Sequence, residues 1–279
     1  MRVAELIRKA ASRLLIAGCP NPERDSELLM MHATGWSRER LFCSLHDSLP
    51  EPVVDEFLEL MIRRENREPL SYIVGTKEFW GLDFHVMPDV LIPRPETEIV
   101  VERAIQLAPA GARVVDVGTG CGNIVVAIGH ARPDLHLFAT DISGTALKVA
   151  RRNAGRHAVD RRIQFVRASL LDPFAPSTFD MVLANLPYVP ETEAQILMPE
   201  VRDHEPYVAL FSGQDGLSLL RSILPQAASV LKPAGVILLE VGLGQAAAVR
   251  TLLDPGLWDD ISFSLDMQRI ERTLCARRR

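Results

Sequence analysis

A chain of 279 residues is long enough for one large domain or for a catalytic domain with a smaller companion, and 47% apolar against 24% charged residues excludes disorder as its default state. The formal net charge of −5 counts against a dedicated nucleic-acid binder, which draws most of its affinity from neutralising phosphates with basic side chains. No run of ~18 apolar residues occurs, so no membrane span is expected.

The N-terminus resembles a secretory leader only superficially. Glu5, Arg8, Lys9 and Arg13 interrupt its apolar run, while Val3, Leu6, Ile7, Ala10 and Leu14 follow helical spacing. A helix over 2–17 and a cytoplasmic protein are expected. Further helices are predicted from Asn21-Pro22 to Gly35, after Ser37 as N-cap, and over 51–66, where Val54, Phe57, Leu58 and Met61 would share one face. Tyr72-Ile73-Val74, Glu78-Phe79-Trp80 and Phe84-His85-Val86, punctuated by Gly75 and Gly81, are β-favouring runs that read as a hairpin. The implied division is a helical domain over 1–72, a hairpin connector over 73–92 and an α/β domain over 93–279.

The proline-rich stretch 92–98 leads into a helix at about 97–108. Strands are then read at 113–117, 136–140, 163–167, 180–184, 235–241, 261–265 and 271–275. Helices fall at 122–131, 144–155, 215–231 and 244–253. Such alternation predicts a parallel sheet covered by helices on both faces. Residues 277–279 read as a solvated tail. The four cysteines and seven histidines are dispersed without zinc-ligand spacing, so reduced, mostly buried thiols and no metal site are expected. Lys148, Arg151, Arg152, Arg156, Arg161, Arg162 and Arg167 form the one basic cluster and read as a solvated face.

Two strand ends carry chemistry. The apolar strand Arg113-Val114-Val115-Asp116-Val117 runs into Gly118-Thr119-Gly120-Cys121-Gly122 and then a helix. Glycines here let the backbone turn sharply and approach a ligand at the carboxyl end of a strand. The dinucleotide fingerprint wants its third glycine three residues after the second, where this chain has Asn123. With Asp116 heading the loop, placed to meet an ammonium, that spacing favours S-adenosyl-L-methionine over a dinucleotide. Asp141, ending the next strand, suits the two ribose hydroxyls and is also placed to cap the helix that follows.

The fourth strand ends in Asn185-Leu186-Pro187-Tyr188. A conjugated nitrogen is a poor nucleophile until its lone pair localises. The Asn185 side-chain oxygen and the Leu186 carbonyl can each accept one N–H of an NH₂ group and hold it for in-line methyl transfer. Pro187 fixes the turn, and Tyr188 offers a flat face to a planar group. Adenine and a glutamine or asparagine amide both fit this description.

Beyond these sites, the chain resembles the bacterial release-factor glutamine methyltransferases over nearly its whole length. The likeness is carried by Arg67-Glu68-Pro69-Leu70-Ser71-Tyr72-Ile73-Val74-Gly75, by Glu78-Phe79-Trp80-Gly81, and by Val90-Leu91-Ile92-Pro93-Arg94-Pro95-Glu96-Thr97-Glu98. It continues through 116–122 and 185–188, Glu205-Pro206, Ala209-Leu210 and Gly213-Gln214-Asp215-Gly216-Leu217. The resemblance implies a Rossmann-like class I methyltransferase sheet behind a small helical N-terminal domain that docks the substrate. It further implies methylation of the glutamine in the Gly-Gly-Gln loop of class I peptide-chain release factors. On that pattern Gly118, Thr119, Gly120, Cys121, Gly122, Asp141 and Asn185 contact the cofactor, and Asn185, Leu186, Pro187 and Tyr188 cradle the amide; Leu170, after the third strand, is expected to form an apolar wall for the adenine.

The sequence departs from the family at Leu186, where the first of two prolines is usual, and at Ser169, where an Asp is usual. Asn-Leu-Pro-Tyr is also the form seen in ribosomal RNA adenine dimethyltransferases, so an adenine amino-group methyltransferase acting on RNA or DNA is the alternative. A non-catalytic binding module would need a broken site, whereas Asp116, Asp141 and Asn185 are all present. A monomer without direct nucleic-acid contact is expected.

Overall fold

A computed structural model describes residues 2–279. The chain forms two compact units. One is the chain up to Thr76 together with Met198–His204, and the other is Lys77–Leu197 with Glu205–Arg279.

The first unit contains α1 (Val3–Ile16), α2 (Pro22–Thr34), α3 (Arg38–Cys43), α4 (Glu51–Glu65) and α5 (Leu70–Val74). On α1, Val3, Leu6, Ala10 and Leu14 recur at helical spacing and are buried with Leu29 and Met30 of α2 and Phe57 and Met61 of α4. Each of the larger side chains contributes roughly 1.5–3 kcal/mol by leaving water. Ser37 caps α3 as expected, accepting a hydrogen bond from the Arg40 amide at 3.3 Å.

Two expectations fail in this unit. Tyr72, Ile73 and Val74 lie in α5 and not in a strand, because Ile73 is buried in the helical core and that packing outweighs its β propensity. On α4, Leu58 is exposed and Leu60 is buried, so the inward stripe is Phe57, Leu60, Met61 and Arg64.

Arg64 ends that stripe as a buried cation, 3% exposed. Its Nε donates to Asp25 Oδ2 at 2.7 Å, its Nη2 to Glu200 Oε1 at 2.9 Å, and its Nη1 to the Glu68 carbonyl at 3.2 Å. Glu200 also accepts from Arg67, so the returning segment Met198–His204 is tied into its unit by charge.

The hairpin consists of β1 (Thr76–Phe79) and β2 (Leu82–His85). Trp80 and Gly81 both take positive φ, the geometry of the two-residue turn whose twist matches its strands. Next in the chain come α6 (Glu98–Leu107), β3 (Arg113–Val117), α7 (Asn123–Ala131), β4 (His136–Asp141), α8 (Gly144–Arg156), β5 (Ile163–Arg167) and β6 (Phe179–Ala184). They are followed by α9 (Pro199–Arg202), α10 (Tyr207–Leu210), α11 (Ser218–Val230), β7 (Leu231–Glu240), α12 (Ala246–Leu252), β8 (Trp258–Leu265) and β9 (Glu271–Arg278).

The seven-stranded sheet has the order β5-β4-β3-β6-β7-β9-β8. Its strands bury alternate side chains on opposite faces. Val115, Val117, Val182 and Leu239 pack with Leu220, Ile223 and Leu224 of α11, while Val114, Leu183 and Leu238 pack with α6 and α7.

The sheet is not wholly parallel. β9 runs antiparallel between β7 and β8, because only the short turn around Asp266 joins β8 to β9 and a parallel return would need a crossover of about a dozen residues. The expected solvated tail is also corrected. Arg277 pairs with Val236 and Arg278 with Trp258 inside the sheet, and both guanidinium groups reach backbone carbonyls of the β7 strand. Among the described residues no helix is long and apolar enough to cross a membrane.

Candidate active site

Strand order reverses at β3, whose neighbours are β4 on one side and β6 on the other. Crevices at such points, beyond the carboxyl ends of the strands, are where open α/β sheets bind ligands. The register brings the two chemical junctions together. Val117 lies beside Ala184 and beside Thr140, so Gly118, Asn185 and Asp141 emerge at neighbouring strand ends. They line one cavity with Thr119, Gly120, Cys121, Leu170, Leu186 and Pro187.

The glycine loop is locked from below and from the side. The Thr119 amide donates to the Thr140 carbonyl at 2.9 Å, and the Gly120 amide donates to Asp141 Oδ2 at 2.9 Å. Asp141 Oδ1 accepts from the Ser143 amide at 2.8 Å, and Ser143, not Asp141, caps α8 through the Ala146 amide. Burial raises the Asp141 pKa, against which three backbone amides work. Gly118 has φ +70°, which favours glycine, and a Cβ there would stand 2.9 Å from a Leu186 methyl, which would have to shift. Gly122 lies outside the cavity lining and opens α7 against Ala150.

Asp116 also stands outside the lining. It is buried beneath the loop, where Oδ2 accepts from the Thr119 hydroxyl at 2.6 Å and Oδ1 has no partner. Burial pushes its carboxyl up to about 7. An orphaned, buried carboxylate oxygen under a ligand loop is what a cationic group could satisfy. Cys121 lines the cavity, and burial raises its thiol to about 12, so it is not a nucleophile at neutral pH. Leu170 takes φ +48° and accepts from the Thr140 hydroxyl through its carbonyl at 3.1 Å, while Ser169 faces the cavity beside it.

Tyr188 is absent from the cavity lining. Its hydroxyl donates to Glu240 Oε1 at 3.3 Å, and its carbonyl accepts from Gln245 Nε2 at 2.8 Å. Gly216 presses on the same carbonyl, with room for no side chain: a Cβ would lie 2.2 Å from that oxygen. The ring is therefore not part of the cavity wall, and the flat face expected of Tyr188 is not presented there, because its hydroxyl and carbonyl are tied to Glu240 and Gln245.

Sequence reading missed Thr97, Glu240 and Glu205 as site residues. Thr97 lines the cavity, accepts from Asn185 Nδ2 at 3.0 Å and donates to Glu240 Oε2 at 2.6 Å. Glu205, buried behind the lining, accepts from Arg94, which faces the cavity, and from the Ile92 amide. Thr97 and Glu205 lay in stretches already singled out by resemblance. Glu240, an acid closing the apolar run of β7, was the available signal for the third. No group of three or more His, Cys, Asp or Glu among the described residues is placed to hold a metal ion.

Residues 5–75 match the family described as the PrmC N-terminal domain, and residues 97–200 match the methyltransferase small domain. The chain is 38% identical over 260 residues to a release factor glutamine methyltransferase of Geobacter sulfurreducens, covering 93% of this chain and 91% of that one. It is 40% identical over 279 residues to that of Cereibacter sphaeroides, with 99% of each covered. Among solved structures, a methyltransferase from Pyrococcus furiosus superposes with a TM-score of 0.55 at 16% identity, covering 72% of this chain and 91% of the other, a likeness of fold alone. With similarity running through both units and the glycine loop sharing one cavity with Asn185, Leu186 and Pro187, the chain belongs to the release factor glutamine methyltransferase family.

Proposed function

We propose that this protein methylates the side-chain amide nitrogen of the glutamine in the Gly-Gly-Gln loop of class I peptide-chain release factors, with S-adenosyl-L-methionine as methyl donor. The observation that carries the reading is the shared cavity. The glycine loop and Asp141 form one wall and Asn185, Leu186 and Pro187 another, as a donor and an acceptor of a methyl group must be arranged. S-adenosyl-L-methionine supplies an electrophilic methyl on a sulfonium when bound. Gly118, Thr119, Gly120, Asp141 and Leu170 would hold it, while Asp116, buried outside the cavity lining, would act through the Thr119 hydroxyl that it accepts from.

The chain's own part in the chemistry is to hold the nucleophile. Asn185 Oδ1 and the Leu186 carbonyl accept the two N–H bonds of the amide, which restrains rotation and lets the nitrogen lone pair localise. No base is needed before transfer, since the methylated nitrogen is cationic and releases its proton readily. The helical unit, matched over 5–75, would dock the factor.

Purified release factor, its Gln→Ala loop variant and ribosomal RNA should be offered side by side with labelled methyl donor. Label in the wild-type factor alone is the expected result. Label in RNA alone would replace the glutamine by an adenine amine, and label in the loop variant would move the modified residue.

Asp141→Ala removes an anchor of Gly120 together with the ribose acceptor. Calorimetry is expected to show cofactor affinity reduced by roughly 10-fold or more, the scale of one charge-assisted hydrogen bond. Affinity within about twofold of wild type would rule out the ribose contact.

A further inference from the structure

The stretch 92–98 carries the family likeness, yet the proposed chemistry does not use it. Thr97 gives it a function. Its hydroxyl is buried, 1% exposed, and stands between two groups. It donates to Glu240 Oε2 at 2.6 Å and accepts from Asn185 Nδ2 at 3.0 Å. Glu240 is itself 2% exposed, and its other oxygen accepts from the Tyr188 hydroxyl at 3.3 Å.

A hydroxyl has one proton and two lone pairs. Burial pushes the Glu240 carboxyl up to about 7, and in its ionised form it holds that proton, so Thr97 can only accept from Asn185. The Asn185 amide must therefore turn its NH₂ toward Thr97, which leaves Oδ1 on the opposite side, without a hydrogen bond from the described residues. Were the amide reversed, Oδ1 would face the lone pairs of Thr97, a buried mismatch of two acceptors. A carbonyl oxygen kept free at the cavity wall selects a substrate group that brings N–H donors.

We propose that Thr97 and Glu240 are positioning residues that fix the Asn185 amide in its accepting orientation, and so make the site specific for a primary amide or amine over an isosteric carboxylate. This rests on the reading of Asn185 as the acceptor of the substrate NH₂. A glutamate in place of the target glutamine would set oxygen against oxygen at Oδ1, so discrimination arises before any methyl transfer. Tyr188 belongs to the same device: its hydroxyl saturates the second oxygen of Glu240, which keeps the carboxylate directed at Thr97.

The test is a double-mutant cycle read by steady-state methyl transfer, with calorimetry of S-adenosyl-L-methionine as a check that each variant is folded. Thr97→Val keeps the shape and removes the hydroxyl. It is expected to lower kcat by ~10-fold while the KM for release factor and the cofactor affinity stay within about twofold. Thr97→Ser restores the hydroxyl and should recover kcat to within about threefold of wild type.

In an Asn185→Ala background, Thr97→Val is expected to change kcat by less than about twofold, because its effect runs through an amide that is gone. An equal loss in both backgrounds would overturn the proposal, as would an unchanged kcat in Thr97→Val alone. Should wild-type enzyme label RNA and leave the factor unlabelled, the substrate reading fails on its own. The same cycle on RNA then decides the orientation, since an exocyclic amine brings the same two donors.

Discussion

Truncating Asn185 to alanine is expected to lower kcat for methyl transfer by ~10²-fold, the cost of losing one group that holds the reacting atoms in the transition state. Asn185 follows β6 at the cavity wall, and its amide is held from behind by Thr97. On the proposed reading, alanine would remove the acceptor for one N–H of the substrate, leaving the nitrogen attached through the Leu186 carbonyl alone and free to rotate back into conjugation. Steady-state kinetics with release factor provide the measurement. A kcat within about threefold of wild type would show that the amide is held elsewhere.

The second large effect concerns stability. Arg64→Ala is expected to destabilise the helical unit by ~3–5 kcal/mol, measured by urea unfolding followed by circular dichroism. The guanidinium bridges Asp25 and Glu200 in a setting where its own side chain is 3% and that of Asp25 8% exposed. Its removal leaves Asp25 as a buried carboxylate without a cation, whereas Glu200 keeps Arg67. Arg64→Lys should recover only part of the loss, since an ammonium cannot present the fork that meets both carboxylates and the Glu68 carbonyl. A loss below about 1 kcal/mol would mean that Asp25 is well solvated and that the pair adds little.

Much of the catalytic unit was legible because its signals are local. The β3 strand is a run of apolar residues ending in glycines, and its bounds in the structure, Arg113–Val117, match the reading. The five parallel strands and their helices follow from the switch between apolar runs and helical spacing. The errors lie where partners distant in sequence decide. Tyr72 and Val74 favour strands by composition and are helical because Ile73 is buried with α1, α2 and α4. Leu58 and Leu60 are the same residue type two positions apart, and only the tertiary face separates them.

At the site, glycine spacing marked the loop and an Asn-Leu-Pro-Tyr string marked the wall, but neither carries orientation. Thr97 and Glu240 are 143 residues apart, and no spacing rule links them. Asp116 illustrates the converse. Its place at the head of the loop was readable, whereas its burial beneath Thr119 and its orphaned oxygen depend on packing.

The route of the chain back into the helical unit has a temporal consequence. Arg64 is made early by the ribosome, and its partner Glu200 follows 136 residues later. At synthesis rates of about 5–20 residues per second, roughly 7–27 s separate the two. During that interval the five N-terminal helices exist with Arg64 and Arg67 short of their shared carboxylate. The unit first to emerge is thus completed only when most of the second has been translated, and no single cut in the chain releases either one whole.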